Sequence, residues 1–219
     1  ILVSRCVPLW FKAVEREHSG GRGPIEDALN SLNSVRRIYE SGQTKQGKLV
    51  YGVQVPSARN LRSYVLLLLL NALLGGEGTS FLYRYLREEK RLCYFIESQV
   101  DPLLGKGYIL ASVDREAYQR ALAEIARGID DLRKGKVSEQ EWTRTKALLV
   151  HRLADLKEDR DALQRLNLRS LIFGYSMPLS EMEYNLATIQ LDEIVDVASR
   201  LNPNVIYFLY GNGVEAKES

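Results

Sequence analysis

Histidine and cysteine are scarce in this 219-residue chain, with only two of each. His18 and His151 are widely separated, and the neighbourhood of His151 offers no second histidine. A hydrolytic zinc centre needs three protein ligands and a water, so the chain alone is expected to hold no catalytic metal. Cys6 and Cys93 lie far apart without metal-site spacing, and they read as free buried thiols, in keeping with a reducing compartment. Charge of one sign is also missing. Lys and Arg number 30 against 28 Asp and Glu, with no long basic block, which excludes nucleic acid as an obligatory partner. No apolar run reaches the roughly 20 residues that cross a bilayer. No βαβ unit carries a dinucleotide fingerprint, and Gly75-Gly76-Glu77-Gly78-Thr79-Ser80 lacks the lysine of a phosphate-binding loop. The chain opens on Ile1 without a signal-peptide pattern, so its first residue reads as a cut end from which a targeting segment could have been lost.

What is present is a solid apolar core. Tyr64 to Leu74 is apolar on every side of a helical wheel, which predicts a helix buried all round, and Arg59 and Arg62 flank it closely. The glycines at 75, 76 and 78 are expected to end it through a left-handed cap. A second helix follows, capped by Thr79 or Ser80, with Phe81, Leu82, Tyr85 and Leu86 on one face. Leu92 to Ile96 then predicts a strand in the centre of a sheet. Without further context Tyr83, Tyr85, Tyr94 and Phe95 read as core, and Arg84 to Arg91 as a solvated helix end.

Upstream, Ile1–Cys6 predicts a strand, Pro8–Glu17 a helix, residues 19–24 a Gly-rich linker and Ile25–Leu32 a weak helix. Strands follow at Val35–Glu40 and Lys48–Pro56, the second with Leu49, Tyr51, Val53 and Val55 on one side. Downstream, Val100–Gly107 reads as a loop and Tyr108–Val113 as a strand. Asp114 is expected to cap a helix with Ala121, Ile125, Ile129 and Leu132 on its apolar stripe. Ser138–Glu141 and Ser180–Glu183 both have the letters of a capping box. Trp142, Leu149, Leu153 and Leu156 share a helix face, and His151 reads as a surface residue of that helix. A helix at Asp161–Phe173 stops at Gly174, another runs from Asp192 to Leu201, and Val205–Tyr210 is a last strand. The fold class is α+β: an antiparallel (mixed-order) sheet of about five to six strands with helices packed on one face. The expected organisation is one domain over 1–219, with 1–24 as lead-in and linker and 25–219 as the main body.

Leu74-Gly75-Gly76, Ser80, Leu82, Leu86-Arg87-Glu88 and Leu92-Cys93-Tyr94 fill, in order, a pattern that resembles the insulinase (pitrilysin) family of zinc metallopeptidases. Cys93 stands where the family usually has glycine. The resemblance extends more loosely from about Gln46 to Leu156. The family's catalytic signature, H-x-x-E-H, is missing here. The resemblance therefore implies the C-terminal-type domain without the zinc motif, as in processing peptidases.

In such clamshell enzymes a zinc-free domain faces the zinc-bearing one and lends the chamber an arginine and a tyrosine seven residues apart. Arg87 and Tyr94 match both types and the spacing. Arginine offers a planar fork of donors and tyrosine a hydroxyl, both suited to a peptide's carbonyls and carboxylates. The resemblance implies a substrate-clamping domain with no catalytic or metal residues of its own. Zinc and general base would come from a zinc-bearing insulinase-type domain or subunit, in a homo- or heterodimer or in one longer chain. The substrate would be unfolded peptide, held partly by strand addition at a sheet edge. The alternative is a structural or assembly protein related to the core subunits of a respiratory complex, without peptidase activity. A bacterial cytoplasmic location is expected, with a mitochondrial one left open.

Overall fold

Asn60 opens the helix on which the rest is built. Its side chain accepts from the N–H of Ser63 at 2.9 Å, while the Ser63 hydroxyl oxygen accepts from the N–H of Asn60 at 3.1 Å. This reciprocal cap starts α1 (Leu61–Leu74), whose Val65, Leu67, Leu69, Leu70 and Leu73 are all buried. Burial of one such leucine stabilises by about 1.5–3 kcal/mol. The helix touches neighbours on nearly every side, as a helix without a polar face must.

The computed structural model describes residues 35–76, 78 and 80–211. The elements expected before Val35, with Cys6, His18 and the Thr79 cap, lie outside the described residues. The strands are β1 (Arg36–Gly42), β2 (Gly47–Gln54), β3 (Cys93–Asp101), β4 (Lys106–Val113) and β5 (Asn202–Gly211). They form one sheet in the order β1-β5-β2-β4-β3. Among the described strands only the β1–β5 pair is parallel, so the sheet is mixed. Among the described residues β4 is followed by the helices α2 (Tyr118–Arg133), α3 (Glu139–Glu158), α4 (Arg160–Phe173), α5 (Leu179–Thr188) and α6 (Leu191–Ser199). The α+β class with helices backing a mixed sheet is as expected.

The core face of the sheet carries Leu49, Tyr51 and Val53 of β2, Ile109 and Ala111 of β4 and Phe208 of β5, all buried. Tyr118 of α2 stacks on Phe208 with ring centroids 4.3 Å apart. The predicted stripe of α2, Ala121, Ile125, Ile129 and Leu132, is buried too. On the opposite face Val50, Leu110 and Leu209 are only half-buried. Arg62 ties α1 to the helical layer, donating to both carboxylate oxygens of Glu193 at 2.9 and 2.6 Å and to Thr188 at 3.2 Å.

Several local expectations are corrected. Gly75 has φ −164°, an extended backbone, so α1 does not end in a left-handed glycine. Gly75 is small for another reason: a Cβ there would stand 3.0 Å from Cβ and Oγ of buried Ser98 in β3. The second helix is a π-helical segment (Tyr83–Glu89) that opens after Leu82 without a side-chain cap and closes with Lys90 N–H donating to Tyr85 O at 3.0 Å. Among the described strands β3 lies at an edge, not in the centre, and it runs on to Asp101. The turn after it is short because the Asp101 carboxylate accepts from the N–H groups of Leu103 and Leu104. Tyr94 and Phe95 are exposed, not core. Asp114 caps no helix, since a 3-10 turn, Arg115–Ala117, comes between it and α2. The Ser138–Glu141 box forms as read, but α5 starts after Pro178, one residue ahead of Ser180, and has no side-chain cap. α6 starts at Leu191, one residue ahead of Asp192, with the Gln190 N–H donating to the Glu193 carboxylate at 3.0 Å, and it ends at Ser199, short of Leu201. Gly174, at φ 73°, does end α4 in the left-handed region.

Candidate functional site

The C-terminal end of α1, the π-helical segment and the start of β3 form one fastened unit. Ser98 of β3 donates its N–H to Gly75 O at 2.9 Å and its hydroxyl to the side-chain oxygen of Asn71 at 2.8 Å. Leu82, Leu86, Leu92 and Cys93 are buried beneath it. Arg84 pairs with Glu141 of α3, which holds the π-helical segment to the helical layer. The Leu-Gly-Gly and Leu-Arg-Glu letters of the sequence thus have a physical meaning: close approach of α1 to β3, and a leucine buried beneath an exposed arginine.

Arg87 lies near the end of the π-helical segment, exposed, with its guanidinium carbon 5.0 Å from the ring centroid of Tyr83. Tyr94 lies at the start of β3. The pairing of β3 with β4 shifts between Cys93 and Phe95, so Tyr94 is the extra residue of a β-bulge. A bulge bends its strand and re-aims a side chain, and Tyr94 is 58% exposed. Its hydroxyl donates to Oδ2 of Asp114 at 3.2 Å, and that carboxylate raises the phenol's pKa. Between Arg87 and Tyr94 in the chain sits the buried Cys93, a free thiol whose pKa burial pushes up to about 11, with the charge of Arg87 acting against the rise. Arg87 and Tyr94 make no hydrogen bond to each other; each has its own partner. Tyr83 could have been found from its helical spacing to Arg87. Asp114 could not, because 20 residues separate it from Tyr94 and nothing local links the two.

The described residues do not fit a zinc site. Among them no group of three or more His, Cys, Asp or Glu side chains is placed to hold a metal ion. His151 is an exposed residue of α3. Nor is any described helix long and apolar enough to cross a membrane.

The described residues thus form a mixed sheet backed by helices, with an exposed arginine and an exposed tyrosine near one edge and no metal-ligand cluster among them. The chain belongs to the family described as peptidase M16 inactive domain, whose model matches residues 15–149. The insulinase-type pattern read between Leu74 and Tyr94 falls inside that match. A "Probable inactive metalloprotease YmfF" of Bacillus subtilis (strain 168) is 22% identical over 210 residues, covering 95% of this chain and 48% of its own length. The chain therefore spans about half of that relative. Among solved structures, a conserved protein from Enterococcus faecalis V583 is 25% identical with TM-score 0.76, over 85% of this chain and 44% of that one. A protease from Helicobacter pylori (20% identity, TM-score 0.72, covering 82% and 44%) shares the fold. So does a peptidase M16 inactive domain from Pseudomonas fluorescens (16% identity, TM-score 0.65, covering 84% and 45%).

Proposed function

We propose that this domain is the substrate-clamping, non-catalytic half of a zinc metallopeptidase, with zinc and general base supplied by a partner domain of the same family. The observation that carries this reading is the bulge at Tyr94. It turns a tyrosine that strand alternation alone would not present into an exposed donor, a short way along the chain from an arginine that is also exposed. Arg87 would hold a peptide carboxylate or carbonyl through its planar fork, and Tyr94 would add one hydroxyl, oriented by Asp114. The edge of the described sheet at β3 would bear on an extended, unfolded peptide. The bacterial cytoplasm is the proposed setting. A second reading, an assembly role without peptide cleavage, draws on the name of the Bacillus relative, "Probable inactive metalloprotease".

The test uses the complete protein together with its zinc-bearing partner. Arg87→Ala should leave the fold and the partner's zinc intact and lower peptide cleavage roughly tenfold to a hundredfold, the loss of a charge-assisted donor worth about 1.5–3 kcal/mol. Arg87→Lys should not rescue it, because a point charge lacks the fork. Tyr94→Phe should cost less, about 0.5–1.5 kcal/mol. Cleavage unchanged in Arg87→Ala would refute the clamping role. Absence of cleavage from every assembled pair would favour the assembly reading.

A further inference from the structure

On the helical side of the domain, α1, α3, α4 and α5 leave between them a cavity of about 310 Å³. That is near the lower end of the roughly 300–1,000 Å³ typical of small-molecule pockets. Leu68, Leu153, Leu156 and Met182 make its walls apolar. Three further lining residues are arginines: Arg152 of α3 and Arg165 and Arg169 of α4. Among the described residues that line it there is no carboxylate. Arg165 and Arg169 are four residues apart on one helix, so they stand on the same side of α4. Arg165 and Arg169 are weakly engaged. Arg165 faces Asp159 at 3.8 Å with both side chains more than half exposed, and Arg169 donates to the Tyr64 hydroxyl at 3.2 Å. Neither partner uses up the donors of a guanidinium, which has five.

An apolar hollow alone would suit any hydrocarbon. The guanidinium groups of Arg169, held only by a neutral hydroxyl, and of Arg165, only loosely paired, select the charge of what enters. We infer that this cavity binds a single-chain amphiphile with an anionic head, a medium-chain carboxylate, its tail among the leucines and its carboxylate on Arg165 and Arg169 with Arg152 beside them. A quaternary-ammonium amphiphile of equal length would be repelled, and a neutral alcohol would gain the apolar contact without the ion pair. The site lies on the helical layer, apart from Arg87 and Tyr94, and its existence does not depend on the proposed peptidase role.

The experiment titrates the full chain with octanoate, decanoate, decanol and decyltrimethylammonium, each kept monomeric, and follows binding by calorimetry. Decanoate should bind saturably at one per chain. It should bind more tightly than octanoate by up to about fourfold per added methylene, the value of a CH₂ removed from water. Decanol should bind at least about tenfold more weakly, and the ammonium not measurably. The double variant Arg165→Gln/Arg169→Gln changes two exposed side chains and should keep its melting transition. It should weaken decanoate at least about tenfold while leaving decanol unchanged. Leu68→Trp should fill the hollow and abolish both. The inference is overturned by non-saturable decanoate binding, by decanoate affinity indifferent to the double arginine change, or by association with vesicles of anionic phospholipid but not with monomeric decanoate.

Discussion

Gly75→Ala should destabilise the domain by about 2 kcal/mol, for a reason unrelated to backbone freedom. At φ −164° any residue fits the backbone of position 75. The added methyl would instead stand 3.0 Å from Cβ and Oγ of Ser98 and 3.2 Å from its backbone nitrogen. Ser98 cannot retreat freely, being 4% exposed and held by its own hydrogen bonds to Asn71 and Gly75. Overpacking of a core costs about 1–3 kcal/mol, and stretching the Ser98–Gly75 bond adds about 0.5–1.5. Alanine's stiffer unfolded chain returns about 0.4–1. For a chain of this size the net loss lowers the melting temperature by roughly 4–8 °C. Denaturant titration with an unchanged slope would measure it. Two further substitutions separate the causes. Asparagine suits a left-handed cap, so Gly75→Asn would be mild if conformation mattered; close approach makes it at least as harmful as alanine. Gly78→Ala, with nothing within 4 Å of the new methyl, should be neutral. Gly75→Ala within about 0.5 kcal/mol of the parent, or Asn tolerated better than Ala, would refute the reasoning.

Cys93 offers a pH test. Its folded pKa of about 11 lies above the ordinary 9.0, so its contribution to stability is complete below pH 9.0 and is lost as pH rises toward 11, by about 2 kcal/mol. Cys93→Ala should lack this alkaline fall, and iodoacetamide should label the folded parent at pH 8 far more slowly than the unfolded chain; equal labelling rates would contradict the burial. Arg62→Ala should cost at most about 1 kcal/mol, because the ion pair is partly exposed. The hydrogen bond from Arg62 holds the Glu193 carboxyl below its ordinary 4.5, so this stabilisation is present above pH 4.5 and fades as the pH falls through the lower, folded value. Parent and variant curves that stay parallel down to pH 2 would count against it.

Local signals in the sequence were legible where a single stretch decides the outcome. The all-apolar face of Tyr64–Leu74, the Ser138–Glu141 cap and the glycine stop at 174 depend only on neighbouring residues, and each formed. The letters at Ser180–Glu183 are equally good. Pro178 precedes them with φ −67°, and the helix has already begun at Leu179. Position in the sheet is a different matter. Leu92, Cys93 and Ile96 are apolar because α1 and the π-helical segment cover one side of β3, and an edge strand covered that way has the composition of a central one. At the candidate site, family letters located Arg87 and Tyr94. The bulge that exposes Tyr94 and the distant carboxylate of Asp114 come from strand pairing, which no local pattern encodes.

The place of β5 sets a schedule for synthesis. It enters the sheet between β1 and β2, and its Tyr207 hydroxyl donates at 2.7 Å to Glu40 of β1, 167 residues away. At about 5–20 residues per second, β1 waits roughly 10–30 s on the ribosome before the strand that pairs with it exists. Over that interval β2 can pair with β4 and the leucines of α1 can begin to gather, but one whole edge of β2 stays open. A nascent chain stalled before Asn202 should therefore be a strong client for chaperones that cover bare strands, and it should lose that character abruptly once residue 211 has cleared the exit tunnel.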